Sequence, residues 1–259
     1  MATVEVSVEQ RVARVSLNAP PLNVLTAAVQ DELRGAFEAL RQRDDHNAVL
    51  VQSALEGVFS AGADVAEHIG HDNCKRMLES AHGLIAEVLR CPVPTIAVIN
   101  GRCLGGAFEL CLACDQLVAL PDAQLGTPEI KLGCYPPAAL VLMPQRLPGA
   151  LAAELIQSGR VFPAAELQKR GAGLRLAEGE HALRAVGDEL IETYSNLPRG
   201  PLAEATRLLR SGAAERFRAG VGSIEQAYLQ RLLSLHDAAE GAEAFLAKRK
   251  PDWDHIEYR

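Results

Sequence analysis

Two glutamates lie in apolar segments, where a carboxylate is costly unless it is used or paired. Glu109 falls in the first turn of a short predicted helix, AFELCLAC at 107–114, and Glu129 lies in LGTPEI at 125–130. Two carboxyl groups in such surroundings can hold different pKa values, so that one serves as a base and the other as an acid. For Glu109 alone, a simpler interpretation is an acid that stabilises a helix N-terminus. The sequence by itself does not place the two side chains face to face.

Two glycine-rich turns could stabilise negative charge beside these acids. The first is FSAGAD at 59–64 and the second is NGRCLGGAFE at 100–109, and each follows a predicted strand and precedes a predicted helix. Small residues let a ligand approach the backbone, and the first N–H groups of a helix are unpaired. Two such turns side by side would offer two N–H donors to one developing oxyanion. A single glycine-rich turn between a strand and a helix usually has no binding role. The oxyanion hypothesis therefore depends on the presence of both turns.

The elements that must position these residues alternate between strand and helix. Valines that alternate with polar residues predict an opening β-hairpin: Val4, Val6, Val8, Val12 and Val15. Short β-branched runs predict buried strands at 48–53, 95–99 and 116–120. Helices are predicted between them, at 27–43, before Pro92, and at 107–113. This alternation indicates an α/β fold.

From about residue 150 the chain becomes rich in Ala, Leu and Glu, and the pattern is helical. Helices are predicted at 149–157, 163–170, 179–195, 201–210, 213–234 and 237–249. No strand pattern follows Leu197-Pro198. We therefore divide the chain into a core region, 1–195, and a helical C-terminal region, 196–259.

The composition argues against several classes of function. Lys and Arg number 26 against 33 Asp and Glu, a net charge of −7, which disfavours a general nucleic-acid binder. No apolar run of about 18 residues predicts a membrane span. The N-terminus lacks the basic start and apolar run of a signal peptide, so a cytoplasmic location is expected.

Known cofactor and metal motifs are missing from the sequence. The six cysteines lie in mostly apolar stretches and are interpreted as buried thiols. Cys111 and Cys114 form a lone CxxC with no second ligand pair, so no metal site is predicted. No phosphate loop, nucleophile elbow, HExxH or GxGxxG occurs, so no nucleotide or redox cofactor is predicted. The seven scattered histidines are interpreted as surface or core residues.

Taken together, these segments resemble the crotonase superfamily, whose best-known members are enoyl-CoA hydratases. The resemblance covers nearly the whole chain and rests on the opening hairpin and on 59–64, 92–115, 126–133 and 240–253. It implies a spiral of repeated ββα units with an α-helical C-terminal trimerisation region, assembled as a homotrimer or homohexamer. It also implies an acyl-CoA substrate, with coenzyme A as part of the substrate and no separate cofactor.

The resemblance also assigns roles to particular residues. The backbone N–H groups of Ala63 and Gly106 would form an oxyanion hole for the thioester oxygen. Glu109 and Glu129 would be the acid–base pair that positions water, deprotonates it and delivers a proton to carbon. Residues that would contact the coenzyme A arm are Ala61, Asp64, Val65, Phe245 and Lys248. The basic C-terminal segment that includes Lys248 can equally be a solvated helix end.

One stretch departs from the usual family pattern. Where ordinary hydratases have Pro-Gly and then Gly-Gly-Thr, this chain reads Cys134-Tyr135-Pro136-Pro137. Proline fixes φ and removes an amide donor, so Tyr135 and Pro137 are expected to shape the substrate pocket near Glu129. The stretch looks most like hydratases that add water in a 1,4 sense to cyclohexa-1,5-diene-1-carbonyl-CoA. Alternatives are a general short-chain enoyl-CoA hydratase, an enoyl-CoA isomerase, or a non-catalytic acyl-CoA-binding subunit.

Overall fold

The structure of the protein, a computed structural model, describes residues 3–256. The strands are β1 (Val4–Glu9), β2 (Val12–Leu17), β3 (Ala48–Ser53), β4 (Val58–Ser60), β5 (Thr95–Ile99), β6 (Arg102–Leu104), β7 (Gln116–Ala119), β8 (Gln124–Gly126), β9 (Val161–Pro163) and β10 (Arg175–Leu176). The helices are α1 (Ala27–Arg41), α2 (His71–Arg90), α3 (Gly106–Ala113), α4 (Pro137–Arg146), α5 (Gly149–Ser158), α6 (Ala164–Lys169), α7 (Glu180–Tyr194), α8 (Arg199–Gln230) and α9 (His236–Leu246). Short 3₁₀ turns span Val65–His68, Pro128–Leu132 and Leu232–Ser234.

The strands form two sheets, and the chain alternates between them. The larger sheet has the order β1-β2-β3-β5-β7-β10 and the smaller has the order β4-β6-β8-β9. All neighbours are parallel except β1 with β2 and β8 with β9. The pairs β3/β4, β5/β6 and β7/β8 each place one strand in each sheet, and α2, α3 and α4 follow them along the chain. The predicted α/β spiral of ββα units is confirmed.

The longer strands and helices were predictable and the short strands were not. The hairpin, β3 and β5 lie at the predicted residues, and Thr26 caps α1, its side chain accepting a hydrogen bond from the backbone N–H of Val29 at 3.3 Å. The strands of the smaller sheet have only three residues each, and β10 has two. So short a run shows no alternation, and its pairing depends on distant neighbours.

The C-terminal helices differ from the prediction at two places. The helices predicted at 201–210 and 213–234 are one continuous helix, α8. Gly212 disfavours a continuous helix by about 1 kcal/mol relative to alanine. Because α8 packs along α2 and α4, this tertiary packing outweighs the local preference of Ser211-Gly212 for a break. The last helix, predicted over 237–249, ends at Leu246, because Lys248 takes a left-handed φ of 52°.

The interior agrees with the apolar pattern of the sequence. All six cysteines are buried and free, as predicted. The apolar face of α2 is buried and includes Met77, Leu84, Ile85 and Val88. Within residues 3–256, no helix is both long and apolar enough to cross a bilayer.

A buried arginine fastens α8 to the parallel sheet. The guanidinium of Arg210 forms an ion pair with Asp115, with 2.7 Å between Nε and Oδ1. It also donates to the carbonyl oxygens of Cys91 at 2.5 Å and Val93 at 3.0 Å, at the end of α2. Asp115 in turn accepts from the Thr95 N–H at 2.7 Å, where β5 begins. One side chain therefore connects α2, α8, β5 and the residue that precedes β7.

Replacing this arginine is expected to destabilise the protein strongly. Arg210→Ala leaves the carboxylate of Asp115 without its ion partner and the carbonyl oxygens of Cys91 and Val93 without this donor, so the free energy of unfolding should fall by about 3–5 kcal/mol. Urea denaturation measures this change. Arg207→Ala on the same helix removes an exposed pair with Glu204 and should cost less than about 1 kcal/mol. Equal losses in the two variants would contradict the role given to Arg210.

Candidate active site

The two glycine-rich turns lie side by side, because β4 and β6 are parallel neighbours and their carboxyl ends share one edge. Gly62 has a φ of 95°, and a Cβ there would lie 2.6 Å from the carbonyl oxygen of Leu104. Only glycine allows the two backbones to come this close. A Cβ on Gly106 would lie 3.8 Å from the backbone nitrogen of Ala63. The structure thus brings together the two residues predicted to form the oxyanion hole.

Both backbone amides of this pair are available to a ligand. The neighbouring N–H of Ala61 donates to the carbonyl oxygen of Leu22 at 2.9 Å, and that of Gly62 donates to Ser60 Oγ at 3.1 Å. Within residues 3–256, the N–H groups of Ala63 and Gly106 have no acceptor. Gly106 is the first residue of α3, so the positive end of the helix dipole adds to its N–H. Two converging N–H donors suit an oxygen that gains negative charge.

Glu109 is held at the buried end of this arrangement by the start of α4. Its Oε1 accepts a hydrogen bond from the backbone N–H of Ala139 at 2.8 Å. Its Oε2 faces Gly106, because a Cβ there would lie 3.8 Å from that atom. Burial raises the pKa of Glu109, and the N–H of Ala139 and the nearby His82 offset part of this effect. Pro137 begins α4 at a position where a missing N–H is harmless, and the amides that follow it are free to hold Glu109.

Glu129 approaches the same place from the 3₁₀ turn Pro128–Leu132. A Cβ on Gly105, whose φ is 56°, would lie 2.6 Å from Glu129 Oε1, so glycine is needed for this contact. Glu129 Oε2 is buried and has no hydrogen-bond partner. Burial raises the pKa of Glu129 well above its ordinary value, and the negative charge of Glu109 raises it further. Two such carboxyl groups will not both be ionised at neutral pH, so one of them carries a proton.

Both glutamates and both free amides line one cavity. Its empty space is about 530 Å³, part of it open to solvent. The apolar wall comes mainly from α2 and includes Met77, Leu78, Ala81, Leu84 and Ile85. Tyr135 and Pro137, which were predicted to shape the pocket, line it as well. The Tyr135 hydroxyl donates to the carbonyl oxygen of Ile224 on α8 at 3.3 Å, and burial raises its pKa to about 12.

The residues predicted to contact coenzyme A lie outside this cavity. Ala61, Asp64 and Val65 flank Ala63 along the chain, and Asp64 Oδ1 accepts from the Ala66 N–H at 3.0 Å to start a 3₁₀ turn. Phe245 is exposed near the end of α9, and Lys248 is exposed just after it. Helix α9 packs against the turn Val65–His68, so the two groups belong to one side of the molecule. Their contact with coenzyme A stays a prediction.

Three residues of the site were missed by the sequence patterns. His82 and Tyr228 line the cavity, and Glu225 contacts His82 from α8. His82 lies four residues after Leu78 and three before Ile85, so helical spacing alone places it on the buried face of α2. Glu225 and Tyr228 carry no such signal, since they belong to the distant helical region. That region therefore contributes to the wall of the site.

Neutralising Glu129 is expected to stabilise the protein at high pH. When the pKa of a carboxyl group is higher in the folded than in the unfolded protein, the folded protein binds more protons. The stability of the protein therefore falls as pH rises through the folded pKa. Glu129→Gln removes this loss, and its Tm should exceed that of the wild type by at least about 2 °C at pH 8. The difference should shrink as the pH falls below about 4.3, the ordinary pKa of a glutamate, because the carboxyl group then becomes neutral in both states. Thermal unfolding across pH, with the exposed Glu9→Gln as control, measures this, and a difference independent of pH would contradict it.

This arrangement points to chemistry on an unsaturated acyl thioester, and comparison with known proteins agrees. A family model described as enoyl-CoA hydratase/isomerase matches residues 7–256. The chain belongs to the enoyl-CoA hydratase/isomerase family. It is 39% identical over 243 residues to the cyclohexa-1,5-dienecarbonyl-CoA hydratase of Thauera aromatica, covering 93% of this chain and 92% of that protein. It is 34% identical over 241 residues to the mitochondrial methylglutaconyl-CoA hydratase of Mus musculus, covering 88% and 74%.

Solved structures of the enoyl-CoA hydratase/isomerase family share the fold. The enoyl-CoA hydratase of Bacillus anthracis superposes with a TM-score of 0.77 at 28% identity, covering 98% of this chain and 100% of that one. The enoyl-CoA hydratase of Bacillus halodurans superposes with a TM-score of 0.88, covering 94% and 100%. The protein is therefore an enzyme of the enoyl-CoA hydratase type, a hydro-lyase with the crotonase fold.

Proposed function

We propose that the enzyme adds water in a 1,4 sense to a cyclic conjugated dienoyl-CoA thioester, with cyclohexa-1,5-diene-1-carbonyl-CoA as the substrate. The observation that carries hydration is the pair of buried glutamates beside two free backbone amides. The cyclic acyl group is supported by the pocket wall at Tyr135 and Pro137 and by the similarity to a relative named for that substrate.

The residues of the site suffice for the addition of water. The thioester oxygen accepts hydrogen bonds from the N–H groups of Ala63 and Gly106, which stabilise the enolate that forms when water attacks the β carbon. The ionised member of the pair Glu109 and Glu129 takes a proton from the water, and the other holds a proton that can be transferred. The reaction needs neither a metal nor a redox cofactor, because it transfers only water and protons.

The proposal extends to coenzyme A binding and assembly. The coenzyme A arm would run along Ala61, Asp64 and Val65 and approach Phe245 and Lys248, from the same or a neighbouring subunit. A homotrimer or homohexamer is supported by Leu208 and Leu209 on α8, which are 57% and 79% exposed. The division into a core, 1–195, and an oligomerisation region, 196–259, belongs to the same proposal.

Hydration assays on two thioesters in parallel test the substrate. Cyclohexa-1,5-diene-1-carbonyl-CoA and crotonyl-CoA are each followed by loss of the conjugated-thioester absorbance and by product mass. We expect the cyclic diene to gain one water. Crotonyl-CoA should react at least about 10²-fold more slowly, because its transition state loses several kcal/mol of stabilising contacts with the pocket. Faster hydration of crotonyl-CoA would make the enzyme a general short-chain hydratase. Reaction without mass change would indicate an isomerase, and no reaction of either would indicate a binding subunit.

A further inference from the structure

His82 is a buried histidine for which the two-glutamate mechanism has no use. Its Nδ1 contacts Oε1 of Glu225, which lies 143 residues further along the chain on α8. Its ring meets that of Phe217 edge-on, with 6.0 Å between the centroids. An ionised carboxylate only accepts hydrogen bonds, so Nδ1 carries a hydrogen. Nε2 has no protein partner within the described part of the chain, and the side chain lines the acyl cavity.

The two glutamates are both anchored at the thioester end of the cavity. Glu109 Oε2 faces Gly106 and Glu129 Oε1 faces Gly105, and Gly106 supplies one of the two free amides. A substrate whose thioester oxygen binds these amides presents its α and β carbons to the glutamates. In a 1,4 addition to a cyclic dienoyl thioester, the proton goes instead to the far end of the diene, two bonds beyond the α carbon. This carbon needs a proton donor deeper in the cavity.

His82 lies at the boundary between two spaces. It lines the acyl cavity, and it also lines an open groove between α2 and α8 together with Ala86, Phe217 and Val221. Within residues 3–256, no other residue lines both of them. A proton from solvent can therefore reach the imidazole through the groove without crossing the acyl site.

We propose that His82 is the catalytic acid that protonates the distal carbon of the dienoyl group, and that Glu225 is a positioning residue that orients the ring through Nδ1. The inference rests on the proposed function. Water forms a C–O bond at the β carbon and gives its proton to a glutamate carboxylate, while the electron pair moves into the dienolate. The dienolate then takes the proton from Nε2, which forms the C–H bond. A net proton passes from the carboxyl group back to the imidazole through water, which completes the cycle.

Other ionisable groups share the cavity and must be separated from His82 in any test. They are His68, Glu109, Glu129, Tyr135 and Tyr228. His68 Nδ1 donates to the carbonyl oxygen of Asp64, and burial lowers the pKa of His68, so this side chain favours the neutral form. None of these groups has a carboxylate partner of the kind that Glu225 provides for His82, in the chain as described.

The first test measures hydration of the cyclic diene by His82→Gln. We expect kcat to fall by at least about 10²-fold, the typical contribution of a general acid, while the Kd for the product acyl-CoA stays within about threefold of wild type. His71→Gln, an exposed histidine of the same helix, is the matched control and should keep the wild-type rate. In His82→Ala, added imidazole should restore part of the rate by entering from the groove, whereas pyrrole, a ring of similar size without a basic nitrogen, should not.

The second test uses Glu225→Gln, which keeps a hydrogen-bonding group but removes the negative charge beside the ring. We expect kcat to fall with little change in KM, because the charged acceptor that orients the ring is lost. In the His82→Gln background the same change should lower kcat no further. A purely structural role for the pair would lower stability and rate without rescue by imidazole.

The outcomes distinguish this inference from the proposed function. A wild-type enzyme that does not hydrate the cyclic diene would overturn both. A wild-type enzyme that hydrates it, together with a His82→Gln variant of similar kcat, would overturn the inference alone. Loss of rate with imidazole rescue, and a fall of kcat in Glu225→Gln at unchanged KM, would establish it.

Discussion

Replacing Glu109 or Glu129 by glutamine is expected to lower kcat by at least about 10²-fold while the fold persists. Each variant keeps the size of the side chain and removes its ability to exchange a proton. The amide of glutamine can still accept from the Ala139 N–H, so the geometry around residue 109 is preserved. Burial raises the pKa of both carboxyl groups, which suits one to give and the other to accept a proton, and each substitution removes one of these two roles. Steady-state hydration kinetics on the best substrate measure the effect.

A buried glutamate elsewhere provides the control for these variants. Glu87 is also buried on α2, but it pairs with Arg41 and Arg90 and does not line the cavity. Glu87→Gln should therefore lower stability and leave kcat near the wild-type value. If Glu109→Gln or Glu129→Gln turned over at a rate near wild type, that residue would have no role in proton transfer.

Gly106→Ala is expected to abolish most activity without loss of stability. A Cβ at this position meets only ordinary contacts, at 3.8 Å from Ala63 N and from Glu109 Oε2, so the chain can accommodate it. It occupies the space that the thioester oxygen must enter to accept from both amides. We expect kcat/KM to fall by at least about 10²-fold, the cost of losing one oxyanion donor. Thermal unfolding should show an unchanged or slightly higher Tm, because alanine favours the helix over glycine.

Gly35→Ala is the matched variant for this comparison. Gly35 lies inside α1, where a Cβ would meet nothing within 4 Å. Both alanines should stabilise their helices by up to about 1 kcal/mol, and only the one at Gly106 should impair hydration. Full activity in Gly106→Ala would show that the thioester oxygen binds elsewhere.

The parts of the site that the sequence revealed are those within one segment. Glu109 lies three residues after Gly106, so the spacing within one helical turn predicts that these two residues are neighbours. Their meeting depends on the parallel pairing of β4 with β6, and these strands are too short to leave a pattern. The resemblance to a family supplied this pairing, since the residues alone did not.

The parts that were missed depend on distant contacts. The predicted break at Ser211-Gly212 reflects a local preference that packing along α2 and α4 overrides. Tyr228 reaches the cavity, and Glu225 reaches His82, only because α8 is continuous past that point. Without the helix in place, no spacing in the sequence could pair His82 with a carboxylate 143 residues away.

A crystal structure with cyclohexane-1-carbonyl-CoA would test the central claim most directly. This saturated thioester cannot be hydrated, so it should remain intact in the site. We expect its thioester oxygen to lie about 2.7–3.1 Å from the backbone nitrogens of Ala63 and Gly106, with the ring between Glu109 and Glu129. A thioester oxygen bound away from these two amides, or a ring outside the cavity, would contradict the assignment of this site to acyl-CoA hydration.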